Sequence, residues 1–348
     1  MLGIRKSLAQ FVFSLPDNWI SNLVRTGSDE KTSALDPRCA LACNIARVLP
    51  KMETMSPEKA RKHFREQMKL FEEPELPVSH IEDKLIPTPS ASFIPIRVYN
   101  AYPQKGTLPI VLFFHGGGLT VGNLDTHDTV CRKLAIFAKS IVVSVDYRLA
   151  PDHSFPSAHD DCFLAYQYVR NSAYLFGGSP NAIAVCGDSA GGLLATSLCL
   201  RAKKEKIPLP VFQALLYPMT DCSKESESYE EYGENFVLTK ETMRWFIKNY
   251  IPSEADRKNT YNSPLLADLK ELKGLPPTYL AIAGYDPLRH EGEAYGAMLR
   301  QAGVKVEERV FPYLIHGYLQ MASLIPKAKE AEADLHQSFL RFFSQRKF

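Results

Sequence analysis

The sequence predicts an α/β fold: a mostly parallel sheet flanked by helices, with a helical cap. Three observations predict it. From residue 109 onward, short apolar strands alternate with helical segments. The strand runs are continuously apolar instead of alternating, as expected for parallel strands covered on both faces. Between Cys222 and Leu275 the alternation breaks into a charged insertion with helical character. With 348 residues, 45% hydrophobic and 23% charged, the chain has an ordinary globular composition and enough length for one large domain.

Taken in order, Ile4, Leu8, Phe11, Leu15, Trp19 and Leu23 recur at helical spacing and predict an amphipathic helix covering a pocket or core, with a membrane surface as the lesser alternative. Arg5 and Lys6 before Leu8–Leu15 superficially resemble a signal peptide, but Gln10 and Ser14 interrupt the run and no A-x-A-like site follows. No stretch approaches the roughly 18 to 20 apolar residues that span a bilayer. Asp36-Pro37 opens a second helix to about Val48, and Ser56-Pro57 a third to Phe71. After a proline- and acid-rich stretch, Ile81–Pro87 and Phe93–Tyr99 form a hairpin around Thr88-Pro89-Ser90.

The remaining strands are Ile110–Phe114, Ile141–Val145, Ala182–Cys186, Val211–Tyr217, Thr278–Ala283 and Val306–Phe311, which makes eight. The helices between them are about Asp128–Ala138, Ala158–Asn171, Leu193–Ala202, Glu291–Ala302 and Ala328–Phe343. The insertion holds an acidic run, Glu225–Glu234, which reads as a solvated face, and a helix, Lys240–Ile251. Residues 1–75 form an N-terminal helical cap segment and 76–348 the α/β domain; the insertion at about 222–275 joins the first segment as a lid over the strand ends.

Charge and cysteine usage narrow the function. A net charge of +2, with no basic stripe, gives no reason to expect nucleic acid and leaves a small molecule as the partner. Seven scattered cysteines fit neither a disulfide framework nor a zinc cluster, so the chain is expected to be cytoplasmic and to hold no metal. Cys39 and Cys43 share a helix spacing, but no histidine pair completes a site.

The chemistry lies in loops. A serine hydroxyl is a poor nucleophile at neutral pH and needs a base, a group to orient that base, and N–H donors for an oxyanion. Gly187-Asp188-Ser189-Ala190-Gly191, between a strand and a helix, fits the G-x-S-x-G elbow that exposes a strained serine. Chance alone supplies that pattern in roughly one chain in ten of this length. His115-Gly116-Gly117-Gly118 directly follows the third strand, where glycine amides can turn toward a developing negative charge. The order serine, acid, histidine selects His316, in the loop after the last strand, over His290 and His336, which belong to helix patterns. Asp286, at the end of the seventh strand, is the acid; Asp221 reads as a loop hydrogen-bonding residue, and Asp268 competes less well.

Together with Asp146-Tyr147-Arg148-Leu149-Ala150-Pro151, Tyr285-Asp286-Pro287-Leu288-Arg289 and His316-Gly317, these motifs resemble the hormone-sensitive-lipase-like carboxylesterase family of α/β-hydrolases over residues 75 to 345. The resemblance implies an α/β-hydrolase fold and a serine carboxylesterase acting on short- to medium-chain esters, without a cofactor. Ser189 is then the nucleophile, His316 the base, Asp286 the orienting acid, and Gly116, Gly117, Gly118 and Ala190 the oxyanion donors. His115 orders the glycine loop, Asp188 anchors the elbow, and Arg148 is a buried ion-pair or carbonyl-binding residue of the Asp146–Pro151 turn. Where relatives often carry an aromatic after the glycines this chain has Leu119, a pocket candidate with Leu288. An amide hydrolase or deacetylase with the same triad is the alternative; a non-catalytic receptor is disfavoured because His316 is present. Relatives often pair through the last strand and its flanking helix, which extends a homodimer to this chain.

Overall fold

The computed structural model describes residues 7, 10–24, 34–71, 73, 75–89 and 91–346. One sheet of eight strands runs through it: β1 His80–Pro87, β2 Phe93–Asn100, β3 Leu108–Phe114, β4 Ile141–Val145, β5 Gly178–Asp188, β6 Phe212–Leu216, β7 Thr278–Tyr285 and β8 Val306–Ile315. Their spatial order is β1-β2-β4-β3-β5-β6-β7-β8. β2 lies antiparallel to both its neighbours, and every pairing from β4 across to β8 is parallel. The chain passes from β3 out to β4 and back across to β5, so the order of the sheet reverses between β3 and β5. A crevice outside the carboxyl ends of the strands at such a reversal is where open α/β sheets bind ligands.

The N-terminal helix departs from expectation. Ile4 and Leu8 lie outside the described residues. Within the described ones the helix breaks at Ser14–Pro16, because proline offers no N–H to the turn before it, and resumes as α1, Asp17–Leu23. The break changes which face is covered: Phe13, Ile20 and Val24 are buried, while Phe11, Trp19 and Leu23 of the expected stripe are about three-fifths exposed. The next two helices stand where their caps place them. The Asp36 side chain accepts N–H bonds from Arg38 and Cys39 at the start of α2, Pro37–Val48, and α3 is Pro57–Phe71.

Two core clusters cover the two faces of the sheet. Against Val111, Phe113 and Tyr279 pack α4 (Asp128–Phe137) and, later in the chain, the final helix Pro326–Ser344; against Ile110, Leu112 and Val185 pack α5 (Ser157–Asn171) and α6 (Ala190–Lys204). The insertion forms α7 (Glu227–Tyr232) and α8 (Lys240–Tyr250), followed by single turns α9 (Glu254–Arg257) and α10 (Leu269–Leu272); α11 (Arg289–Gln301) and α12 (Pro326–Ser344) complete the chain. The acidic run is partly paired: Glu225 holds Arg244, and Glu230 and Glu234 hold Lys240, both from α8. All seven cysteines are free and buried.

Candidate active site

Four strands deliver the site. β3 ends one residue before His115, β5 one before Ser189, β7 one before Asp286 and β8 one before His316. The sheet therefore fixes all four loop origins in one layer. Ser189 takes φ 56°, ψ −119°, a conformation costly for a non-glycine residue, and α6 begins directly at Ala190. The turn is this tight only because its neighbours lack side chains. A Cβ on Gly187 would stand 2.2 Å from the Gly191 carbonyl oxygen, and one on Gly191 would stand 1.9 Å from that of Phe114.

The geometry links three side chains in series. His316 Nε2 lies 2.9 Å from Ser189 Oγ, and His316 Nδ1 lies 2.7 Å from Asp286 Oδ2. With Nδ1–H donated to the carboxylate, Nε2 is left to accept the serine proton. Asp286 is 1% exposed, and its other oxygen accepts the Leu288 N–H at 2.8 Å, which fixes the carboxylate plane. The Tyr217 ring meets the imidazole edge-on at 4.9 Å. No motif points to Tyr217; its φ of 37° at the end of β6 is what carries it there.

The glycine loop faces Ser189, with one correction. The Gly116 N–H donates to Asp188 Oδ1 at 2.8 Å, which removes Gly116 from the expected oxyanion donors. The amides of Gly117, Gly118 and Ala190 have no protein acceptor among the described residues. Gly117 and Gly118 have φ of 119° and 56°, and a Cβ on Gly118 would run into the Phe246 ring. His115 stacks on Tyr147 at 4.2 Å and holds the Gly116 carbonyl through Nδ1 at 2.8 Å. Burial pushes its imidazole down to about 3, so it is neutral at physiological pH.

Asp188 gathers more partners than the sequence discloses. Gln320 Nε2 donates to Asp188 Oδ2 at 2.8 Å and reaches His127 Nε2 at 2.7 Å, while His127 lies 3.3 Å from Asp188 Oδ1. Burial pushes the Asp188 carboxyl up, but His127, Gln320 and the Gly116 amide outweigh it and hold it below the usual carboxylate range.

Ser189, His316 and Gly116–Gly118 open onto a cavity of about 190 Å³ whose walls are mainly apolar: Ile45 and Leu49 from α2 and the loop after it, Phe64, Met68 and Phe71 from α3, and Val237, Leu238 and Phe246 from the insertion. Neither pocket candidate lines it. Leu119, at φ 59°, turns into the core, and Leu288 packs in the same cluster below α11; they are 1% and 2% exposed. The wall residues of α3 recur at helical spacing, a periodicity that points to them once the helix is placed over the strand ends.

The other singled-out residues have structural partners. Arg148 forms a forked ion pair with the buried Asp161, Asp221 accepts the backbone N–H and hydroxyl of Ser223, and Asp268 caps α10. His290 lies in the first turn of α11 with its N–H on the Ser228 hydroxyl, and His336 is buried in α12. Among the described residues no group of three His, Cys, Asp or Glu could hold a metal ion, and no helix is long and apolar enough to cross a membrane.

A parallel sheet with a strained serine at the end of β5, facing a glycine loop and a histidine–aspartate pair, defines an α/β-hydrolase. A family model described as alpha/beta hydrolase fold matches residues 111–320. The chain is 41% identical over 271 residues to the carboxylic ester hydrolase LipN of Mycobacterium tuberculosis, covering 76% of this chain and 71% of that one. It is 36% identical over 294 residues to the ethyl acetate hydrolase of Pseudomonas putida, covering 82% and 90%. Among solved structures, the ester hydrolase EH1AB1 from the metagenome of Lake Arreo, in complex with a bipyridine phosphonate derivative, superposes with a TM-score of 0.85 at 35% identity, covering 89% of this chain and 99% of that one. The chain belongs to the hormone-sensitive-lipase-like carboxylesterase family of α/β-hydrolases, and it is a carboxylic-ester hydrolase.

Proposed function

We propose that the enzyme hydrolyses short- to medium-chain carboxylic esters through an acyl-enzyme formed on Ser189. The observation that carries this is the continuous hydrogen-bonded series from Asp286 through His316 to Ser189 Oγ beneath an apolar cavity. Ser189 Oγ attacks the ester carbonyl carbon as its proton passes to His316 Nε2. The carbonyl oxygen becomes an oxyanion and accepts N–H bonds from Gly117, Gly118 and Ala190. Collapse expels the alcohol, which leaves with the proton from His316, and the acyl group stays on Ser189. A water that gives its proton to His316 Nε2 then attacks the acyl carbon; the bond from that carbon to Ser189 Oγ breaks, the acid leaves, and Oγ takes the proton back from His316.

Asp286 holds the imidazole in the tautomer that leaves Nε2 free and stabilises the imidazolium during both transfers. The chemistry calls for no cofactor. The mainly apolar walls favour an uncharged acyl chain, because a buried charge would find no partner there.

Ser189→Ala is expected to abolish hydrolysis of a p-nitrophenyl ester with the thermal unfolding profile unchanged, and to abolish labelling by a fluorophosphonate. Turnover retained in the variant sinks the assignment. We also treat residues 1–75 and 222–275 as one bipartite cap. A homodimer through β8 and α12 is a further proposal, supported by the exposure of Val310 and Tyr313 on that edge strand. Light scattering of the eluting protein tests it, and a monomer mass rejects it.

A further inference from the structure

The helices that wall the cavity carry charge out of proportion to the chain. Residues 37–71 hold eight Lys and Arg against three acids, Glu53, Glu58 and Glu66, a net +5 in a chain whose total is +2. On α3 the periodicity separates two faces. Phe64, Gln67, Met68 and Phe71 line the cavity, whereas Lys62, Arg65 and Lys69 are exposed on the opposite side, with Glu66 among them. Arg47, Lys51 and Lys59 are also exposed. None of these six cations makes an ion pair among the described residues, although Arg61 beside them is held by Asp152.

The end of α2 and the adjoining α1 expose large apolar side chains. Val48, at the end of α2, is 82% exposed, and Ile45, one turn earlier, is exposed while also lining the cavity. Trp19 and Leu23 are exposed on α1, which packs against α2. At the end of α2 an apolar rim continuous with the cavity wall thus sits beside Arg47 and Lys51, which make no ion pair among the described residues. Exposed tryptophan and aliphatic groups gain by entering the boundary of a lipid layer, and basic residues beside them are drawn to anionic headgroups.

We propose that this face, formed by α1, the end of α2 and the outer side of α3, docks on an anionic lipid surface and sets the cavity rim against it. The partner is a lipid layer because exposed apolar side chains and cations without an ion pair among the described residues occur on the same helices. Docking goes beyond ester hydrolysis and does not depend on it, so it is scored on the Ser189→Ala protein as well as on the unaltered chain.

The test is flotation of the full chain with vesicles of phosphatidylcholine alone and with vesicles in which about one third of the lipid is phosphatidylglycerol. The expected result is co-flotation with the anionic vesicles only, weakening as salt shortens the screening length. Each cation near such a surface contributes roughly fivefold in affinity, so the triple variant Lys62→Glu, Arg65→Glu, Lys69→Glu is expected to bind at least about a hundredfold more weakly. Val48→Ser with Trp19→Ser weakens binding at unchanged charge and keeps the test open if the triple variant does not fold. Hydrolysis of soluble p-nitrophenyl acetate, unchanged in both, reports that the fold is intact. Equal partitioning onto both vesicle types, no flotation, or undiminished flotation of the charge-reversed variant overturns the proposal. So does a gel shift on duplex DNA without flotation, which assigns the face to nucleic acid.

Discussion

Asp188 joins four loops through one carboxylate. It precedes Ser189 in the chain, takes the Gly116 amide on one oxygen and Gln320 on the other, and faces His127. Gln320 lies four residues beyond His316, so its amide ties the histidine loop to the elbow. A hydrogen bond to a buried charge contributes roughly 1.5–3 kcal/mol, and its loss would let the two loops separate. Gln320→Leu is therefore expected to lower kcat for a p-nitrophenyl ester by roughly tenfold with KM little changed, and Gln320→Asn to retain part of the rate. An altered KM at constant kcat would show instead that Gln320 serves only as cavity wall. Ser189, Asp286 and His316 were legible in the sequence because each follows a strand and their order is set by the sheet. Gln320, His127 and Tyr217 were not, since they meet Asp188 and His316 only after distant segments pack. Leu119 and Leu288 were misread for the related reason that adjacency in sequence to a catalytic motif does not decide which way a side chain points.

The elements that announce themselves do so through caps. Asp36-Pro37 and Ser56-Pro57 placed α2 and α3 to the residue, and the continuous apolar runs placed the central strands. The strand ends were less legible: β5 begins at Gly178 and β8 runs on to Ile315, because glycine and proline read as turns while each strand resumes its pairing beyond a register shift there. What the cap does to substrate is carried by side chains such as Phe246 of α8. Its ring occupies the space where a Cβ of Gly118 would stand, is 6% exposed and borders the cavity. Phe246→Ala is expected to cost roughly 3 kcal/mol of stability, seen in the thermal midpoint. In return, the ratio of kcat/KM for a branched or longer acyl ester to that for the acetate should rise by about tenfold. An unchanged ratio across a chain-length series would remove Phe246 from the specificity wall.

Across the whole molecule, buried histidines and carboxyls with raised pKa pull the response to acid in opposite directions. Burial, the largest cause in each case, lowers His115 to about 3, His159 to about 4 and His336 to about 3. Unfolded, each titrates near ~6.5, so between ~6.5 and these values the unfolded chain binds protons that the folded chain refuses. The stability these three imidazoles contribute therefore rises with pH through that window and is lost as pH falls through it. Asp146 acts with the opposite sign. Burial raises it to about 6, so the folded chain keeps a proton that the unfolded chain releases above ~4. Glu291 and Glu332, also raised by burial, act with the same sign as Asp146, so three carboxyls oppose the three imidazoles. Near pH 5 each imidazole adds about 1.4 kcal/mol per pH unit to the slope, and a carboxyl that keeps its proton subtracts up to about as much. Denaturant unfolding between pH 4.5 and about 6.5 measures that slope directly. His336→Leu, which removes one imidazole far from Ser189, is expected to shift the slope near pH 5 by about −1.4 kcal/mol per pH unit, and Asp146→Asn to shift it by a similar amount in the positive direction. If both variants keep the parent slope, acid sensitivity resides in the ion pairs of the surface and not in these buried groups.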